Sequence, residues 1–344
     1  NMSDAERAQM CDRAIDAALR ADEQELALKV VDRYPSVSML KVAAKARKIP
    51  SLKKEATRVA TVIAEKLSGN ASDAHIHLES TLLTPSELAR LVVPHGTAAL
   101  VGDPHESGNV LGAGGIEMLL EASKGLPLDI FFMAPSCVPA AAWEHAGAVL
   151  DSDAVGQLLS HERVLGLAEV MDFPAVLEGR PEVLDKILVA RHRHAAIDGH
   201  APALSGRDLA AYVAAGIRSD HEATTTDEAL AKAALGMLVQ VRDGSSARNL
   251  DTLLPLLVED RLGDWCLVTD DIHPDDLIAR GHVDGLLSRV IRAGVPPARA
   301  VRHATLVPYR HYGFSDRGAV APGYCADLAV ASDLTDLRPS IVIK

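Results

Sequence analysis

From residue 71 onward, short apolar runs alternate with amphipathic stretches of helical spacing, and this alternation is the strongest constraint on the fold. Regular strand and helix alternation predicts βα units around a parallel sheet. Eight runs predict strands, a number typical of a (β/α)8 TIM-like barrel. They lie at residues 74–79, 97–102, 128–134, 164–170, 195–199, 216–219, 236–242 and 265–269.

Composition agrees with an α/β core of aliphatic side chains. Hydrophobic residues make up 48% of the 344 residues but aromatic residues only 3%. A buried parallel sheet covered by helices on both faces is rich in such aliphatic residues. The formal net charge of -12 argues against an extended nucleic-acid surface, which requires clustered Lys and Arg.

Chemically reactive side chains stand at the ends of most of the predicted strands. In a parallel barrel these ends meet on one rim, where barrel enzymes build their active sites. His75 and His77 belong to the first strand, and alternation along a strand places their side chains on the same side. The other metal-ligand candidates at strand ends are Glu169, His200, His221 and Asp270.

This set of side chains predicts a metal centre. A single histidine at a strand end is more often structural than a ligand, but imidazole and carboxylate groups at five of eight strand ends are the ligands that Zn, Fe, Mn and Co prefer. Six ligands exceed the three of a mononuclear catalytic zinc. We therefore expect two ions, one bridging carboxylate and a bridging hydroxide that acts as nucleophile in a hydrolysis. Asp270 would transfer the proton, although Asp271 competes for its place.

Several motifs resemble the amidohydrolase superfamily, and within it the bacterial adenine deaminases. They span residues 73 to about 330 and occur in the same order as in that family. The motifs are DAHIHLESTLLTP, GDPHESGNV, LEASKGLPLDIFFMAPSCVPA, LLSHERVLGLAEVMDFP, IDGHAPALSG, AAGIRSDHEATT, VTDDIHPDDL and RGAVAPGYCADL.

The resemblance implies a role for each metal-ligand candidate. His75, His77 and Asp270 would hold one ion, and His200 and His221 the other. Glu169 would bridge them in place of the carbamylated lysine found elsewhere in the superfamily. The residues implied to be catalytic are Asp270, Glu169 and His221.

The implied reaction is adenine plus water giving hypoxanthine and ammonia, with iron or manganese as the metal and zinc as an alternative. Five residues on the predicted rim are substrate-binding candidates, with ordinary loop polarity as the other interpretation. They are Glu79, His105, Glu106, Ser136 and Glu222. Two alternative functions remain open: hydrolysis of another aminated heterocycle or cyclic amide, and an inactive metal-binding barrel.

The two ends of the chain differ from the barrel pattern. Residues 1–70 predict an all-helical, HEAT-like segment, residues 71–315 the metal-dependent hydrolase barrel, and residues 316–344 a remnant of a small β-sandwich domain. Four scattered cysteines, and the lack of a basic start followed by a long apolar run, favour a cytoplasmic protein. The expected partner is a small purine, with no nucleic acid and no membrane, and assembly into a homo-oligomer is left open.

Overall fold

The computed structural model describes residues 67–141, 143–331, 333 and 335–344, and residues 69–344 form one compact unit. The strands are β1 (Leu67–Gly69), β2 (Ala71–Ile76), β3 (Thr97–Gly102), β4 (Asp129–Ala134), β5 (Val164–Val170), β6 (Ala196–Gly199), β7 (Ser219–Asp220), β8 (Leu238–Arg242), β9 (Trp265–Val268), β10 (Leu328–Ala331) and β11 (Pro339–Ile343).

Helices follow the strands of the parallel region. They are α1 (Pro85–Val92), α2 (His105–Leu111), α3 (Ala113–Ala122), α4 (Ser152–Leu158), α5 (Phe173–Glu178), α6 (Pro181–His192), α7 (Gly206–Ala214), α8 (Thr226–Ala234), α9 (Leu250–Val258), α10 (Pro274–Arg280), α11 (Val283–Arg292), α12 (Pro297–Ala304) and α13 (Leu306–His311), with 3-10 turns at Glu79–Thr81 and Val93–His95.

Strands β2 to β9 are parallel and follow the order of the chain. Strands β2 to β6 form one sheet and β7 to β9 another. Backbone bonds also join the two sheets. Arg218 N donates to Ile197 O at 3.0 Å between β6 and β7, and Asp270 N donates to His75 O at 3.0 Å between the chain after β9 and β2. The arrangement is a TIM-like α/β fold, and each of the eight predicted strands overlaps an observed one.

The strands are continuous apolar runs in the sequence because both faces of the parallel sheet are buried. Every residue of β2, β3 and β9 is buried, as expected when helices cover a parallel sheet. Local sequence sets the helix starts. At α1, Pro85 occupies the first turn and the Thr84 hydroxyl accepts from Glu87 N at 3.4 Å, which satisfies a backbone donor that the helix leaves free.

The two predicted end segments have different outcomes. The helical segment at residues 1–70 lies outside the described residues except at its end, where Leu67–Gly69 is a strand because it joins the small sheet of order β1-β10-β11. In that sheet β10 and β11 are antiparallel.

In the part of the chain that the structure describes, every helix is too short or too polar to cross a lipid bilayer.

Candidate metal centre

The structure brings the six predicted metal-ligand residues together at the carboxyl ends of five strands. His75 lies within β2 and Glu169 within β5. His77, His200 and His221 directly follow β2, β6 and β7, and Asp270 is the second residue after β9. Five of the six are almost fully buried, and His200 is partly exposed. Groups of three among them have ligand atoms within 4.8 Å of one another.

The first group consists of the histidine pair and one carboxylate. His75 Nε2 lies 3.3 Å and His77 Nε2 3.1 Å from the same oxygen, Oδ1 of Asp270. His77 Nδ1 lies 3.0 Å from the backbone oxygen of Asp103, to which its N–H donates. That hydrogen bond fixes the tautomer, so the Nε2 lone pair of His77 is free to bind a cation.

Glu169 lies between this group and a second pair of histidines. Its Oε2 is 2.6 Å from His200 Nδ1 and 3.1 Å from His221 Nε2. Its Oε1 is 3.6 Å from His77 Nε2. One carboxylate therefore presents a different oxygen to each side of the cluster, which is the geometry that a bridging ligand requires.

Hydrogen bonds from neighbouring residues hold the backbone of Glu169 and His200. Glu169 N donates to Asp103 Oδ2 at 3.2 Å, and the Ser136 hydroxyl donates to Glu169 O at 2.5 Å. His200 N donates to the Tyr212 hydroxyl at 3.0 Å. Such supporting bonds orient ligands before an ion arrives.

Asp270, rather than Asp271, faces the cluster. Asp270 has a left-handed backbone with φ 58°, a conformation that Asp tolerates better than most residues. Its backbone is bonded on both sides to the histidine strand, since its N–H donates to His75 O and its carbonyl accepts from His77 N. Asp271 instead accepts from Ser80 Oγ at 2.5 Å and Ser246 Oγ at 3.1 Å.

Most of the predicted substrate-binding residues lie around this cluster. His105 Nδ1 is 3.3 Å from Glu169 Oε1, Glu106 Oε2 is 3.7 Å from His77 Nδ1, and Glu222 Oε1 is 3.5 Å from His221 Nε2.

The remaining two substrate-binding candidates have other contacts. Glu79 Oε1 accepts from Ser107 N at 3.0 Å, and its Oε2 is buried with no hydrogen-bond partner among the described residues. Ser136 is buried, and its hydroxyl donates to the backbone of Glu169. In this structure Ser136 therefore holds the backbone of Glu169, one of the metal-ligand candidates.

Arg242 belongs to the site although the sequence analysis did not select it. As the last residue of β8, it donates to Asp270 Oδ2 at 2.8 Å and to both oxygens of Glu222, at 2.8 Å for Oε2. The predicted seventh strand ends at residue 242, so the rule applied to the other strand ends would have found it. Its charge offsets part of the negative charge of the surrounding carboxylates.

The electrostatics of the site favour ionised side chains. Burial lowers the pKa of His75, His77 and His200, but nearby carboxylates outweigh burial, so each pKa is raised. Those carboxylates are mainly Asp270 and Glu169 for His75 and His77, and Glu169 and Glu222 for His200. The same balance with Asp103 and Glu169 raises the pKa of His105 to about 9. Burial alone would raise the pKa of Asp270 and Glu169. Hydrogen bonds and charges from their histidine partners have the larger effect, so the pKa of each carboxyl group is lowered.

The donor set fits divalent cations. Two buried ring nitrogens, His75 Nε2 and His221 Nδ1, have no hydrogen-bond partner among the described residues. Imidazole and carboxylate ligands together suit Zn, Fe(II), Mn and Co. Concentrated buried carboxylates also need positive charge nearby, which a cation supplies.

Sequence comparison decides the family. The model of the amidohydrolase family matches residues 71–260, the part of the chain that contains His75, His77, Glu169, His200 and His221. The chain belongs to the amidohydrolase family. Use of divalent metal follows from this membership together with the clustered ligand groups.

Among curated proteins, this amidohydrolase resembles several relatives named adenine deaminase. It is 51% identical over 272 residues to that of Syntrophobacter fumaroxidans (strain DSM 10017 / MPOB), and 46% identical over 273 residues to that of Kosmotoga olearia (strain ATCC BAA-1733 / DSM 21960 / TBF 19.5.1). Each match covers 79% of this chain and 47% of the relative. The amidohydrolase chain thus spans about half the length of these relatives.

Solved structures support the fold of the amidohydrolase. The crystal structure of an adenine deaminase aligns with a TM-score of 0.55 at 14% identity, covering 77% of each chain. A beta-aspartyl dipeptidase from Fervidobacterium islandicum AW-1 aligns with a TM-score of 0.60 at 14% identity, covering 80% of this chain and 81% of that one. At such identities the likeness concerns the fold alone.

Proposed function

We propose that this amidohydrolase deaminates adenine by hydrolysis, giving hypoxanthine and ammonia. The name of the relatives supports the substrate, since several are named adenine deaminase and one of these is 51% identical to this chain over 272 residues. One structural observation supports the reaction class most: Glu169 stands between His77 on one side and His200 with His221 on the other. That arrangement suits a pair of ions in a hydrolase.

The proposed ligands divide into two sets. His75, His77 and Asp270 would hold one ion, His200 and His221 would hold the other, and Glu169 would contact both. We propose iron or manganese as the metal, with zinc as an alternative. Two such ions, when bound, would lower the pKa of water and polarise the atom that is attacked.

The residues of the chain supply proton transfer and orientation. Asp270 accepts a proton from the attacking water and returns it to the amino group that leaves from C6 as ammonia. Arg242 holds Asp270 Oδ2 at 2.8 Å and so fixes the direction of that carboxylate. His221 and Glu169 complete the proposed catalytic set.

Substrate contacts are proposed for residues around the cluster. Glu79 and Glu106 each have a buried carboxylate oxygen with no hydrogen-bond partner among the described residues. Such acceptors suit the N–H groups of a purine. His105 and Glu222 lie beside the ligands and would orient the same ring. Ser136 keeps its contact with Glu169 and is proposed to position that residue.

The proposal extends to the organisation of the chain. Residues 71–315 would form a complete (β/α)8 barrel, with a helical segment before it and a remnant of a small β-sandwich domain at 316–344. The expected partner is adenine or a related purine, without nucleic acid or membrane. Cytoplasmic location and assembly into a homo-oligomer stay predictions.

The test is an ammonia-release assay with adenine on protein loaded with iron, manganese or zinc. We expect release of one ammonia per hypoxanthine formed, and a rate lower by more than about 100-fold in the Glu169→Gln variant. Glu87→Gln, an exposed helix substitution, is the matched control and should keep wild-type activity. No turnover of adenine by protein that carries two ions per chain would refute the substrate assignment, and a panel of aminated heterocycles and cyclic amides would then identify another.

A further inference from the structure

A cavity separate from the proposed metal ligands lies behind the ends of β8 and β9. It has a volume of about 260 Å³ and is lined by residues that follow these strands, by α11 and by the segment around residue 337. None of the six proposed metal ligands lines it. Strand β8 connects the two places, because Arg242 contacts the metal ligand Asp270 while the next residue, Asp243, lines the cavity.

The charged residues that line the cavity are mainly positive. Four arginines face two carboxylates, although the whole chain has a formal net charge of -12. They are Arg280, Arg289, Arg292 and Arg338, with Asp243 and Asp336. Two of the four arginines also pair with carboxylates that do not line the cavity, Arg280 with Asp276 at 2.8 Å and Arg289 with Asp251 at 2.6 Å. The guanidinium groups left to attract an anion are therefore those of Arg292 and Arg338.

The ion pairs within the cavity leave two arginines weakly compensated. Asp243 contacts Arg289 and lies 3.6 Å from Arg280. Arg338 Nε is 3.9 Å from an Asp336 oxygen, at the edge of salt-bridge distance. Arg292 donates from Nε to Ser288 O at 3.0 Å, and it has no carboxylate partner among the residues that the structure describes.

Three buried polar atoms on residues that line the cavity have no hydrogen-bond partner among the described residues. They are Oδ1 of Asp243, a residue with 1% exposure, Nε of Arg280, and Nε2 of His282, which lies 3.0 Å from Asp73 Oδ2. Burial raises the pKa of Asp243 despite the nearby Arg289 and Arg280. Leaving such groups unpaired costs free energy, so a suitable ligand offers both an acceptor and a donor.

We propose that this cavity binds a phosphate group, either free or as the monoester of a small metabolite. A hydrogen phosphate has anionic oxygens for the guanidinium groups of Arg292 and Arg338, and an O–H that donates to Asp243 Oδ1. Arginine suits this contact because its planar guanidinium binds phosphate through two hydrogen bonds. Fully ionised sulfate offers the same charge but no donor, so we expect it to bind more weakly.

The first experiment measures binding of inorganic phosphate by isothermal titration calorimetry to the full chain with its metal. The variants are Arg292→Gln and, as matched control, Arg90→Gln, which removes one exposed charge from α1. We expect the dissociation constant to rise about tenfold or more in Arg292→Gln and to stay unchanged in Arg90→Gln. Arg338→Gln serves as a second cavity variant if Arg292→Gln melts at a lower temperature than wild type.

The second measurement separates the two sources of phosphate. Adenosine monophosphate and sulfate are titrated against the same variants. Tighter binding of the monoester than of phosphate, lost in Arg292→Gln, assigns the cavity to a phosphorylated metabolite, and the reverse order assigns it to free phosphate. The proposal would be overturned if neither phosphate nor the monoester binds. It would also be overturned if phosphate binds equally to Arg292→Gln and Arg90→Gln, because the phosphate would then bind at the metal centre or elsewhere.

Discussion

Arg242 donates to Oδ2 of Asp270 at 2.8 Å, while the other oxygen of the same carboxylate lies 3.3 Å or less from His75 and His77. The two oxygens of Asp270 thus face different partners, a cationic side chain on one side and the histidine pair on the other. Arg242 also contacts both oxygens of Glu222. One guanidinium therefore sets the positions of two carboxylates at the proposed metal centre.

Replacing Arg242 should impair catalysis more than metal binding. Glutamine cannot hold Asp270 and Glu222 together, so we expect Arg242→Gln to lower kcat about 10- to 100-fold while two ions remain bound. Lysine should restore little, because it lacks the planar pair of donors. Steady-state kinetics with metal analysis check this, and Arg248→Gln on an exposed part of the rim is the control. Wild-type kcat in Arg242→Gln would remove the positioning role.

Glu169→Gln should release metal while the fold persists. The neutral amide loses the charge that faces both groups of histidines, so metal content should fall below two ions per chain. Activity should fall by more than the roughly 100-fold typical of losing a supporting partner. Metal analysis and circular dichroism measure the two effects separately. A variant that keeps two ions but unfolds more easily would show that Glu169 is structural.

A buried ion pair beneath the second histidine pair should contribute strongly to stability. Lys232 Nζ lies 2.5 Å from Asp220 Oδ1, and both side chains are fully buried. Asp220 also accepts from Ala201 N and Glu222 N, next to His200 and His221. Lys232→Met leaves that carboxylate without its cation and should cost about 3–5 kcal/mol of unfolding free energy.

Urea denaturation measures this cost. The control is Lys124→Met, since Lys124 pairs with Glu121 on an exposed helix surface and such pairs contribute little. Equal unfolding free energies for the two variants would show that the buried pair does not hold the strand ends in place.

The fold and most of the site could be predicted because both depend on local patterns. Apolar runs such as Val164–Val170 predict strands that are buried on both faces, and the His75–His77 spacing follows from side-chain alternation. Parallel topology places the strand ends on one rim. Alternation could not choose between Asp270 and Asp271, since Asp270 adopts a left-handed φ outside the strand. The contact of Ser136 with Glu169 and the pairing of Lys232 with Asp220 are tertiary, and no periodicity in the sequence reports them.

The metal-free protein should lose stability as pH rises. The folded pKa of His105 is about 9, against about 6.5 for an unperturbed histidine. A raised pKa contributes stability that is complete below pH 6.5 and is lost as pH rises through 9. We expect a loss of no more than about 3 kcal/mol across this range, and a smaller one with metal bound.

Thermal denaturation between pH 6 and 10 checks this expectation. His105→Gln should flatten the pH dependence of the metal-free protein. A metal-free wild type whose melting temperature is the same at pH 6.5 and 9.5 would contradict the assignment. Metal binding should also release protons at neutral pH, because His75, His77 and His200 have raised pKa values.

The most direct test of the central claim is anomalous diffraction from crystals of the protein loaded with manganese. We predict two peaks on the rim, one contacted by His75, His77 and Asp270 and the other by His200 and His221, with Glu169 touching both. A single peak, or peaks that do not contact Glu169, would contradict a binuclear centre at this site.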